Sequence, residues 1–160
     1  MVETALGVAK SASRKASTRL PALTMMLGNF VVGVAILGPA GMLVELATGL
    51  SVSFRDAGLL MTFGAIVLCL GSPLVAWATT AIDRRKLLAT TLGIIALGHV
   101  ASAFAPDYNT LLVARLVMLA FAAIYTPQAA STIALIVPER DRAKAISFVF
   151  LGWSLALAIG

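Results

Sequence analysis

The sequence predicts an all-α, polytopic membrane protein, and three observations carry that expectation. Four complete apolar runs, 23–44, 57–81, 87–104 and 111–137, are each about long enough to cross a hydrocarbon layer as a helix. A fifth begins near Ala145 and continues to Gly160. The chain is 60% hydrophobic and only 12% charged, with a mean hydropathy of +0.99, which is more apolar surface than a soluble domain of 160 residues needs. Its basic residues cluster in alternate connections. A large soluble helical core fails on length and charge spacing, because 87–104 contains no Asp, Glu, Lys or Arg. At about 1.5 Å per residue that run reaches roughly 27 Å.

The charge pattern sets the expected topology. Lys10, Arg14, Lys15 and Arg19 precede the first span. Arg84, Arg85 and Lys86 lie between the second and third, and Arg140, Arg142 and Lys144 between the fourth and fifth. The other side receives only Arg55 from the connections. Ten basic residues against one place residues 1–20, a basic tail, in the cytoplasm with the two basic turns, and put the connections near Arg55 and Asp107 outside. Orientation accounts for each cluster, and no recognition motif accompanies them, so nucleic acid is not an expected partner.

The expected elements follow in order. Residues 1–20 lack a cleavage signal, and Glu3 argues against a transit peptide. Spans are predicted at about 21–46, 56–82, 87–104, 111–137 and from 145 to the end of the chain. The short turns between them, Asp83–Lys86 and Ala105–Thr110 among them, make successive spans antiparallel neighbours. Glycines at 28, 33, 38, 41, 58, 64, 71, 93 and 98, and the alanines of the fourth span, suit close backbone approach, because lipid supplies little hydrophobic drive between helices. Pro39, Pro73 and Pro127 interrupt spans. Each removes a backbone donor, and such breaks occur as simple bends or beside water-lined paths.

Few polar groups enter the apolar runs. Arg115 lies four residues after Leu111, roughly 6 Å into the fourth span. It either snorkels to the near interface or serves a cavity or gate. His99 is expected at comparable depth on the antiparallel third span, where it is a packing residue or a proton relay. Asn29 and Gln128 match in depth toward the cytoplasmic half. With Tyr125 and Thr126 they either meet the polar part of a substrate or hydrogen-bond between helices. Glu45 and Asp56 sit at outer helix ends, and no Asp or Glu lies inside the first four spans. Cys69 stands alone, without metal-ligand spacing, and no GxxxxGK[ST] loop is present. Neither an enzyme nor a metal or organic cofactor is expected.

Two segments carry a family resemblance. Gly71-Ser72-Pro73-Leu74-Val75-Ala76, followed by Thr79-Thr80-Ala81-Ile82-Asp83-Arg84-Arg85-Lys86-Leu87-Leu88, resembles the signature of the major facilitator superfamily at its turn between helices two and three. Arg115 falls where that family has its helix-four arginine, and Pro138-Glu139-Arg140-Asp141-Arg142-Ala143-Lys144 resembles the next cytoplasmic turn. The chain departs from the common form at Thr79, where glycine is usual, in the missing insertion before the final basic pair, and near Met118 and Leu119, where glutamine and glycine are frequent. Within the family the pattern is most similar to bacterial drug or metabolite efflux permeases, the arabinose-efflux-like group.

The resemblance implies a carrier of two six-helix halves working by alternating access, of which this chain covers the amino-terminal half into helix five. It implies a cytoplasmic gate at Asp83, Arg84, Arg85 and Lys86, and a cavity or coupling role for Arg115. It also implies a substrate path along Asn29, Tyr125 and Gln128. The expected function is proton-coupled efflux of a small drug-like compound or metabolite, with the proton gradient as energy source. Expected partners are that substrate, membrane lipids and the remaining carboxy-terminal helices. A sugar or metabolite facilitator or symporter, and a non-transporting membrane interaction protein, are the alternatives. A channel lacks a visible filter or acidic ring.

Overall fold

The structure is a computed structural model describing residues 2–79 and 82–159, with side chains described for 18–71, 73, 79 and 82–159. The described residues form α1 (Val2–Gly41), α2 (Leu43–Gly49), α3 (Phe54–Ala78), α4 (Arg84–Ala103), α5 (Tyr108–Ile136), a 3₁₀ turn (Glu139–Asp141) and α6 (Arg142–Ile159). Five helices are long and apolar enough to cross a membrane: Thr18–Gly41, Phe54–Gly71, Arg84–Ala103, Tyr108–Ile136 and Glu139–Ile159. The chain is an all-α polytopic membrane protein with five membrane-spanning helices among the described residues.

Three helix starts are fixed by short polar side chains that satisfy otherwise orphaned backbone donors. Ser53 Oγ accepts from Asp56 N (3.0 Å) and donates to the Asp56 carboxylate (2.6 Å), which starts α3. Asp83 caps α4 by accepting from Lys86 N (3.0 Å). Asp107 caps α5, accepting from Thr110 N (2.9 Å) and from its hydroxyl (3.0 Å). The 3₁₀ turn after Pro138 leads into α6.

The first span differs from expectation. The helix predicted over about 21–46, with Pro39 as an interruption, stops at Gly41, Met42 leaves helical geometry at φ −120°, ψ 30°, and α2 starts afresh at Leu43. Pro39 withholds a donor from the ladder, and Gly38 and Gly41 flank it with the least conformational preference for helix. At its other end α1 extends back to Val2, ahead of the apolar run, so residues 1–20 are continuous with the first span from Val2 onward. The tail residues Lys10, Arg14 and Lys15, and Ser72 and Leu74–Ala76 of the family signature, lie outside the described side chains, as Thr80 and Ala81 lie outside the described residues.

The centre of the bundle is α5, which packs against α1, α3, α4 and α6. Met118, Ala122, Tyr125, Ala129 and Ile133 recur at three- and four-residue spacing and are buried, facing Val32 and Ala35 of α1, Ile95 of α4 and Val149 of α6. Leu97, Val113, Leu135 and Leu157 point outward at more than 60% exposure, as a lipid-facing surface requires. The tightest seam joins α1 to α6. A Cβ at Gly152 would collide with the backbone of Met26 and Phe30, so only glycine permits this approach. Close packing thus replaces the hydrophobic drive that lipid withholds.

Candidate functional site

Asn29 is fully buried near the α1–α6 seam. Its Nδ2 donates to Val149 O of α6 (3.1 Å), and its Oδ1 accepts from Thr126 Oγ1 of α5 (2.9 Å). Trp153 Nε1 of α6 donates to the same Thr126 hydroxyl (3.2 Å). One chain of three hydrogen bonds therefore ties α6 to α5, α5 to α1 and α1 back to α6. Each bond contributes about 1 kcal/mol in such surroundings, and leaving a member unpaired costs more. Tyr125 is also buried, its ring lying over Gly28, where a Cβ would overlap the phenol.

Gln128 is turned elsewhere. Its Nε2 donates to Thr79 Oγ1 at the end of α3 (3.1 Å), so Asn29 and Gln128, matched in depth by sequence, belong to separate contacts. Thr79 is the residue that stands where the family pattern has glycine, and its hydroxyl gives Gln128 a partner. One turn along α5, Ser131 Oγ accepts from an Arg84 guanidinium nitrogen (2.9 Å) and donates to Gln128 O (3.1 Å). The basic turn is thereby fastened to α5 through Arg84, while Arg85 and Lys86 are exposed. Asp83 is engaged as the α4 cap. The only ion pair among the described residues is Arg140–Asp141 (3.8 Å), so Asp83 makes none there.

Arg115 is 5% exposed, which removes snorkelling as its description. One of its terminal nitrogens donates to Ala35 O of α1 (3.2 Å), and its Nε is buried with no partner. A buried guanidinium with an unused donor is costly, on the order of 1–3 kcal/mol for an orphaned polar group. His99 is exposed on α4. Among the described residues no group of His, Cys, Asp and Glu could hold a metal ion.

Beside the polar chain lies a groove of about 440 Å³, open to one side. Ile36, Leu68, Ala122, Phe150 and Trp153 line it, with Thr126 at its polar edge. Trp153 is the site residue that sequence reasoning passed over. Its signal was available: an indole N–H in an apolar span must find an acceptor. Ser131 was passed over too, and a serine one turn after Gln128 carried no such signal.

The profile described as "Major Facilitator Superfamily" matches residues 25–160. The inner membrane transport protein YdhP of Escherichia coli (strain K12) is 32% identical over 136 residues, 85% of this chain and 35% of that protein. The MFS-type transporter YbcL of Bacillus subtilis (strain 168) is 31% identical over 132 residues, 82% of this chain and 34% of that protein. A probable sugar efflux transporter of Mannheimia succiniciproducens is 30% identical over 139 residues, 86% of this chain and 35% of that protein. No solved structure matches significantly. The chain spans about a third of the length of the curated relatives it matches. Five packed spans, a capped basic turn at Asp83, a buried arginine in the fourth span and a match over nearly all of the apolar chain agree: this chain belongs to the Major Facilitator Superfamily.

Proposed function

We propose that the chain is the amino-terminal part of a secondary active carrier that exports a small drug-like compound or metabolite in exchange for protons, by alternating access. The observation that carries this reading is Arg115. An intramembrane cation at 5% exposure, set against a broken first span, is expensive in an inert anchor and useful beside a polar path. Differential binding to inward- and outward-open states would couple the two movements. In this reading Asp83, with Arg84, Arg85 and Lys86, forms part of the gate. The cap that Asp83 makes on α4 gives it a contact that opening or closing can exchange. Asn29, Tyr125 and Gln128 flank the path, and their hydrogen bonds to neighbouring helices are broken or exchanged as it opens.

The proposed orientation puts the amino terminus and the Arg84 turn in the cytoplasm, on the strength of ten basic residues against one in the connections. The relative named as an inner membrane transport protein supports transport, and the one named as a probable sugar efflux transporter supports export of a small solute. A second reading, facilitation without proton exchange, is favoured by the lack of any Asp or Glu inside the first four apolar runs.

The test uses the full-length protein in sealed proteoliposomes, with radiolabelled arabinose and, separately, the lipophilic cation ethidium. Accumulation of either probe into vesicles made acid inside, abolished by a protonophore, is the expected result. Equilibration indifferent to the gradient selects facilitation. No movement of either probe under any gradient counts against the efflux assignment.

A further inference from the structure

An α-helical Pro39 cannot donate to the carbonyl four residues before it, which is that of Ala35. Ala35 is fully buried and Pro39 is buried, so water does not reach that carbonyl easily. Arg115 of α5 donates to Ala35 O at 3.2 Å. The helix break at Met42 follows within one turn of Pro39. The buried arginine and the broken helix therefore meet at one atom.

We propose that Arg115 is a positioning residue for the break in the first span: it supplies, from α5, the donor that Pro39 removes from α1, and so holds the α1–α2 corner against the bundle. Proline loosens the ladder and guanidinium re-anchors it. The two residues then form one device, and the charge of Arg115 is needed there less than its N–H. The device gives α1 a defined pivot, because a carbonyl bound by a side chain of another helix moves with that helix. Its geometry stands whether or not the carrier exports its substrate, and its test reads helix positions rather than transport.

The proposal predicts a specific interdependence. Arg115→Met removes the donor. Pro39→Ala restores the backbone N–H, which makes the donor unnecessary. The full-length protein, in lipid nanodiscs and free of native cysteines, is spin-labelled at Val44 and Asn109, two exposed positions on α2 and the start of α5. A control pair sits on α1 and α5 at Leu27 and Leu135, also exposed. Arg115→Met should broaden the 44–109 distance distribution and leave the 27–135 pair sharp. The same substitution in the Pro39→Ala background should broaden neither. Arg115→Lys, which keeps a donor, should stay close to the parent protein.

Melting temperature gives a second reading that does not depend on the labels. The loss caused by Arg115→Met should be at least about twice as large in the parent as in the Pro39→Ala background. Equal losses in both backgrounds overturn the proposal. So does a 44–109 distribution that stays sharp in Arg115→Met, or one as broad in Arg115→Lys as in Arg115→Met. If Arg115→Met fails to fold in the parent, its recovery by Pro39→Ala supports the device, and failure in both backgrounds rejects it.

Discussion

The Asp83 turn and the Asp107 turn are built alike and differ in what surrounds them. Each aspartate precedes a membrane-spanning helix, and each accepts from a backbone N–H three residues on, Lys86 in one case and Thr110 in the other. The Asp107 carboxylate closes a second bond with the Thr110 hydroxyl, so its turn is self-contained. At the Asp83 turn the next residue, Arg84, reaches out to Ser131 on α5. Three basic side chains follow Asp83 directly, and none stands within Asp107–Thr110. An N-capping carboxylate is therefore no evidence of a gate by itself. The same cap serves a plain turn on one side, and the cross-link to a neighbouring helix is what distinguishes the other.

Exchanging the charge while keeping the cap sharpens this contrast most. Asparagine caps a helix about as well as aspartate. Asp83→Asn should therefore insert and fold normally but lose at least about tenfold in transport rate, or ~1.4 kcal/mol in barrier. Asp107→Asn should stay within about twofold of the parent, measured with the same vesicles and probes. Parallel behaviour of the two variants would erase the functional difference between the turns.

Removing the cap itself should affect both turns equally. Asp83→Ala and Asp107→Ala should each lower the melting temperature by a few degrees, with the corresponding asparagine variants closer to the parent. A smaller effect is expected at Ser131, which is exposed. Ser131→Ala should change stability by no more than about 0.5 kcal/mol, yet loosen the Asp83 turn in hydrogen exchange while leaving the Asp107 turn unchanged.

The smallest effect is one of pH. The Thr110 backbone N–H, and then its hydroxyl, hold the Asp107 carboxyl below its ordinary value of 3.8. The folded protein thus binds this proton less readily than the unfolded chain. The resulting stabilisation is present above pH 3.8 and is lost as pH falls below it through the folded value. Parent and Asp107→Asn should accordingly show parallel stability profiles from about pH 5 to about pH 8 and separate only in acid. Divergence near neutrality would mean that Asp107 has a partner beyond its own turn.

Composition and hydropathy alone determined the fold class and the five spans, but not α2, which begins inside the first predicted span and runs into the predicted connection. Run length and charge spacing are local quantities, and a bilayer converts them directly into helices and turns. The ends of α3 to α6 fall within a few residues of expectation because Asp, Ser and Pro act on the backbone beside them. The height of Arg115 in the fourth span was also legible, as a charge inside an apolar run, but the sequence left snorkelling and burial both open. What lay beyond the sequence was partnership. Depth along a helix placed Asn29 level with Gln128, but rotation about the axis sent one to Thr126 and Val149 and the other to Thr79. Pro39 announced a loose carbonyl, and only the approach of α5 to α1 showed that Arg115 fills it. A side chain's height follows from its sequence position, whereas the neighbour it faces depends on how helices turn and close upon one another. Glycines such as Gly152 set that closure across the α1–α6 seam.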